Sequence, residues 1–167
     1  GGFPTWITTN TDFGVGGSAG GTGDTAATNG TQRDIDETLL QNVLQLVWTN
    51  GGKPDCLMLG ARSKRRVSAF TGNATRVKTA EDRTLQAAID IFDSDWGELQ
   101  IIPNRFQPAR SAFIMQKDML AVAWLRSVRM LELGVTGDSV RRQVLAEYTL
   151  EVRNQLAHGI IFDLTTT

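Results

Sequence analysis

Cys56 and His158 are the only residues of their types in the chain, and a thiolate activated by an imidazole is the one nucleophilic arrangement they permit. Nothing in their spacing or flanks suggests activation. Cys56 lies in the apolar run Cys56-Leu57-Met58-Leu59, which predicts a buried, inert thiol. A single histidine excludes metal sites built from several imidazoles. Among the acidic residues, Asp90, Asp93 and Asp95 come nearest to a cation-binding loop, but the Trp96-Gly97 that follows reads as a turn. A solvated hairpin end accounts for them. No catalytic residue, metal ligand or cofactor site is therefore expected. The remaining pattern is electrostatic: residues 62–78 hold Arg62, Lys64, Arg65, Arg66, Arg76 and Lys78 and no acidic residue. Such a run suits phosphate or an acidic patch on a partner, or else is a solvated helix face. Gly60-Ala61-Arg62-Ser63 lacks the second glycine and the Lys-Ser/Thr pair of a phosphate loop.

The elements that would position these residues follow from hydrophobic spacing. Leu39, Leu40, Val43, Leu44 and Val47 recur at helical intervals, which predicts a helix over 35–49. Asp34 and Glu37 have the spacing of a capping box, and Asn50-Gly51-Gly52 gives the stop. Asp55 to Leu59 reads as a buried strand ended by Gly60. A second helix follows, with Ser63 as cap, Val67 and Phe70 facing inward and Gly72 closing it. Ala87 to Phe92 and Leu99 to Ile102 form a hairpin around Asp93 to Gly97, and Ala112 to Met115 is a further short strand. Over 119–133, periodicity alone slightly favours a helix, although Leu120, Val122, Trp124, Val128 and Met130 also share a strand face. Val144, Ala146, Tyr148, Leu150 and Val152 alternate with polar residues as in a strand with one buried face, and Gly159 to Phe162 is a last strand. The fold class is α+β: a helix-strand-helix segment followed by a mostly antiparallel sheet.

The chain has 167 residues, 41% hydrophobic and 21% charged, which suits a globular protein able to bury a core without metal or disulfide staples. Seventeen basic and 18 acidic residues leave a net charge of -1, which is not the footprint of a dedicated nucleic-acid binder. One cysteine cannot form an internal disulfide, so a reducing cytosol is the default compartment. The longest apolar run, Met119 to Leu125, is far short of the ~18 residues needed to span a bilayer, and no signal peptide opens the chain. Nine of the 17 glycines fall in the first 30 residues, so residues 1–33 read as loop ordered by Phe3, Trp6, Ile7, Phe13 and Val15. The chain opens on Gly1-Gly2-Phe3 without an initiator Met, which points to a processed or truncated product.

Several short motifs occur in a telling order: Gly2-Phe3-Pro4-Thr5-Trp6-Ile7 with Thr9-Asn10-Thr11-Asp12, then Trp48-Thr49-Asn50-Gly51-Gly52-Lys53-Pro54-Asp55, then Thr136-Gly137-Asp138, and last Glu147 through Asn154 to Ala157-His158-Gly159. Together they resemble the major capsid proteins of tailed bacteriophages and prophages, in the branch with the Hong Kong 97-like shell fold. The resemblance covers essentially the whole chain. It implies a Gly-rich connecting segment at 1–33, an axial domain at 34–100 and the sheet of the peripheral domain at 101–167. The family's N-terminal arm, extended loop and spine helix would precede Gly1. The same resemblance favours an extended strand over 119–133, which is the expectation adopted.

It also implies a structural protein that self-associates into hexamers and pentamers of an icosahedral head. Scaffold, protease and portal proteins would be further partners, packaged DNA would be touched only weakly, and no membrane is involved. Its place would be the virion capsid, and the bacterial host cytoplasm during assembly. The basic stretch and the acidic hairpin end would then pair between neighbours, making Arg62, Lys64, Arg65, Arg66, Asp93 and Asp95 the candidate subunit-contact residues. The alternative is a nucleic-acid-binding module using residues 62–78.

Overall fold

A computed structural model describes residues 2–20, 27–70, 91–134 and 137–166. Its longest helix, α2 (Glu37–Thr49), buries Leu39, Leu40, Val43, Leu44 and Val47, the stripe that the spacing predicts. The cap is Asp36, whose carboxylate accepts from the Leu39 N–H at 2.6 Å, and not Asp34. Only Asp36 sits directly before the first turn, where a side chain reaches the orphan N–H groups. With Leu39 three residues on, no side chain bonds back, so the expected capping box does not form. At the other end Gly51 takes φ 83°, a left-handed stop that suits glycine.

The strand β2 (Cys56–Leu59) leads into α3 (Ala61–Val67). Gly60 is the residue before that helix and Ser63 lies buried inside it, so Ser63 is not its cap. Val67 is buried and Phe70 packs edge-on against Phe92 at 6.3 Å, both as expected. Gly72 and Ala87 to Asp90 lie outside the described residues. The predicted hairpin is present as β3 (Ile91–Ser94) and β4 (Gly97–Pro103), turning at Asp95-Trp96 with Gly97 at φ 126°.

With β5 (Ala112–Met115), β8 (Gly159–Ile161) and a two-residue strand β1 (Thr11–Asp12), these strands make a six-stranded sheet in the order β1-β8-β5-β2-β4-β3. Pairings β1–β8 and β2–β4 are parallel and the other three antiparallel, so the sheet is mixed, more so than the sequence suggests. Side chains alternate across it. Leu57, Leu59, Ile101, Ala112, Ile114 and Ile161 meet α2 and α3 on one face. Cys56, Phe113, Met115 and Ile160 meet Ile7 and Phe3 on the other. Burial on both faces explains why β2 and β5 read as continuous apolar runs. The sheet draws strands from each of the segments 1–33, 34–100 and 101–167, and β4 runs across residues 100 and 101. Helix α2 comes close to β8 because Gly159 has no side chain: a Cβ there would sit 2.8 Å from Val43 Cγ1.

The N-terminal segment holds more structure than a loop. Phe3–Trp6 forms one helical turn, α1, with Pro4 at its start. Phe13 stacks on Phe162 at 4.5 Å, whereas Val15 is 86% exposed and anchors nothing. A buried carboxylate ties this segment to the chain's far end. Asp163, at φ 59°, accepts from Gly14 N–H at 3.1 Å, Gly30 N–H at 2.9 Å and Arg110 Nη2 at 2.9 Å.

Apart from the sheet stands a two-stranded ribbon, β6 (Leu120–Glu132) and β7 (Arg142–Val152), paired antiparallel. The strand expectation for 119–133 holds, and the helix-like spacing has a physical origin. Register shifts between Trp124 and Arg126 and between Arg126 and Arg129 add residues to β6, which moves its apolar residues from two-residue to three- and four-residue intervals.

Candidate functional site

The two residues with nucleophile chemistry are core residues. Cys56 is 1% exposed in the middle of the sheet, and burial pushes its thiol up, with Lys117 opposing and Asp55 adding to the shift. His158 is fully buried, with Nδ1 accepting from the Gln116 N–H at 3.3 Å and its ring edge-on to Phe3 at 5.4 Å. Burial pushes the imidazole down, against the Met119 backbone and the Asp55 carboxylate. A thiol held protonated and an imidazole held neutral are the reverse of an activated pair. Among the described residues no three His, Cys, Asp or Glu side chains gather to hold a metal ion. No helix there is long and apolar enough to cross a membrane.

The basic stretch is partly spoken for within the chain. Arg62 Nη2 lies 3.3 Å from Asp34, and Arg66 pairs with the other oxygen of the same carboxylate. Desolvation works to raise the Asp34 carboxyl, but the Arg62 hydrogen bond and the Arg66 charge outweigh it and hold the group below its ordinary range. The aspartate that spacing assigns to a helix cap is therefore an anchor for α3. Lys64 is half-buried, and Arg65 and Arg66 are exposed on that helix; Arg76 and Lys78 lie outside the described residues. Asp93 and Asp95 are exposed on the β3–β4 hairpin at the outer edge of the sheet. No ion pair joins them to Arg62, Arg65 or Arg66 among the described residues. Within one chain the structure thus gathers Arg62, Arg66 and Asp34 and leaves the acidic hairpin apart.

The surface that the sequence does not announce is the ribbon. Paired residues in an antiparallel ladder share a face, which places Val122, Trp124, Met130, Val144, Tyr148 and Leu150 together. Trp124 and Tyr148 pack at 4.9 Å between ring centroids. The opposite face carries the Arg126–Glu147 ion pair at 2.8 Å and, at the root, Arg153–Glu151, whereas Arg142–Glu132 at the tip shares the face of Met130 and Val144. Alternation along β7 predicts a buried apolar face, and the structure leaves it open: Val144 is 63% and Tyr148 65% exposed. Only the root, Leu120 and Val152, reaches the core beside Phe3. The signal was present as alternation, but alternation does not say what covers the face.

Comparison with known proteins gives these surfaces a context. The sequence matches the SU10 major capsid protein family over residues 1–165. The chain belongs to that family. The resemblance to phage major capsid proteins is thereby borne out, and the mixed α and β architecture is compatible with a capsid fold. Among solved structures, a virus-like particle from Pyrococcus furiosus is similar at 14% identity and a TM-score of 0.46, over 78% of this chain. The capsid-family chain spans 55% of that particle's chain. The comparison with curated proteins returns no match.

Proposed function

We propose that this chain is a structural capsid subunit with the Hong Kong 97-like shell fold, working by self-association and not by catalysis. The single observation that carries this reading is the family match along residues 1–165. Residues 34–100 would contribute to the axial domain at the capsomer centre, residues 101–167 to the peripheral sheet, and residues 1–33 to the connection between them. Shell contacts of this kind are repeated by symmetry and individually weak, and they close into rings of six and five before they close a shell. The packaged DNA would be touched weakly, in keeping with a net charge of -1 and with two guanidiniums of the basic stretch already held by Asp34. Scaffold, protease and portal proteins are the further partners this reading implies, with assembly in the bacterial host cytoplasm and the virion as destination.

Negative-stain electron microscopy tests it. The chain is expressed alone and within the longest open reading frame that contains it. Rings or closed shells in either sample support the reading, and their absence from both at high protein concentration overturns it.

A further inference from the structure

We infer that Asn50 is a one-way deamidation site: the fold keeps its side-chain amide intact against Asn10, and once that contact opens the amide is lost and the contact cannot close again. Asn50-Gly51 is one of two Asn-Gly pairs in the chain, Asn29-Gly30 being the other. Glycine lacks the Cβ that would crowd its own nitrogen. When the chain opens, the Gly51 nitrogen attacks Cγ of Asn50, the Cγ–Nδ2 bond breaks, and Nδ2 leaves as ammonia with the proton that Gly51 gives up. Water then opens the succinimide ring to aspartate or isoaspartate, so water is the only co-reactant.

The folded chain opposes each part of this reaction. With ψ at 9°, Asn50 turns the Gly51 nitrogen over the end of α2 and away from the Asn50 side chain. The Gly51 N–H donates to the Trp48 carbonyl at 2.9 Å. Asn50 Nδ2 donates to Asn10 Oδ1 at 2.7 Å, which holds the leaving group in place. Asn50 itself is exposed, so water has access and the protection is conformational.

The surroundings make the change irreversible. Asn10 is fully buried, and its Nδ2 donates to the carbonyls of Leu156 and His158, each at 2.9 Å. Those carbonyls fix the orientation of the Asn10 amide, because a flip would set its oxygen against two acceptors. Oδ1 of Asn10 therefore faces position 50 and requires a donor there. A carboxylate offers only oxygens, so the hydrogen bond becomes a repulsion. Isoaspartate fits no better. It lengthens the backbone beside Gly52, where a Cβ would already lie 2.6 Å from Val47 Cγ1 and 2.8 Å from Ala157 Cα. The damage spreads beyond the helix end, since the Asn10 carbonyl also accepts from the Ile160 N–H at 2.9 Å, at the start of the β1–β8 pairing.

Peptide mass spectrometry of the 167-residue chain, held in mildly alkaline buffer with and without urea, tests this, with Asn29 as an internal reference. Folding should slow the conversion of Asn50 at least roughly tenfold relative to the chain in urea. Asn10→Ala should raise the folded-state rate at Asn50 about fivefold, the weight of one ordinary hydrogen bond, and leave Asn29 as it was. A rise at both sites alike would mean that Asn10→Ala no longer folds, so Asn50→Asp, which installs the product directly, gives a second readout. It should melt at a lower temperature than the original chain, with hydrogen exchange over residues 10–12 and 156–161 faster by about fivefold. An Asn50 that converts as fast in the folded chain as in urea, a folded Asn10→Ala with an unchanged rate, or an Asn50→Asp chain as stable as the original would each overturn the inference.

Discussion

Asp34 and Asp36 are two residues apart and do different work, which only the structure separates. Asp36 caps α2, and Asp36→Ala should lower stability by about 1 kcal/mol in urea titrations. Asp34→Ala should instead loosen α3, seen as faster hydrogen exchange over residues 61–67, with α2 unaffected. For subunit contacts the clean test is Arg65→Glu, since reversing Arg66 also breaks its intrachain pair. Normal shells from Arg65→Glu would remove that residue from the contact set. The two buried titratable groups give sharper expectations. Cys56 should resist iodoacetamide until denaturant is added. His158 has a folded-state value below its unfolded 6.5, so the unfolded chain takes up a proton first as pH falls. The stability its neutral form provides is intact above about pH 6.5 and is lost as pH drops from there toward the folded value. The melting temperature should therefore decline below about pH 6.5, less so in His158→Gln. The single imidazole makes its NMR titration directly assignable.

At the level of elements, helix α2 and strand β7 were legible by their period, and β2 and β5 as short apolar runs buried on both faces. Strand β6 was not legible from spacing alone, because two bulges break the two-residue rhythm that β7 keeps, and its strand expectation came from the family resemblance. What decided 119–133 was its pairing with β7, a non-local fact that no window of sequence contains. Parallel pairing of β1 with β8 and of β2 with β4 was hidden for the same reason, since local spacing carries no strand order. The contact between α2 and β8 was also silent, although Gly159 marks it. Gly159→Ala should push Val43 and Val47 away from the sheet and cost about 1–3 kcal/mol, measurable by thermal unfolding.

For the whole molecule, the family match supports a structural capsid role. Its two ends are fastened together through Asp163, and Asp163→Ala strips partners from Arg110 and from the Gly14 and Gly30 amides. The expected loss is at least about 2 kcal/mol, with faster hydrogen exchange over residues 14–18 and 28–33. The strand order has a consequence for synthesis. Strand β8 separates β1 from β5, and β8 holds residues 159–161. Strand β1 therefore has no bonding partner in the sheet until residues 159–161 have emerged from the ribosome. A nascent chain cannot display a finished sheet, nor the surfaces built on it, to its neighbours on the same messenger RNA. Timing is thus written into the topology: copies of this chain can show one another a finished sheet only after residue 161 has been made.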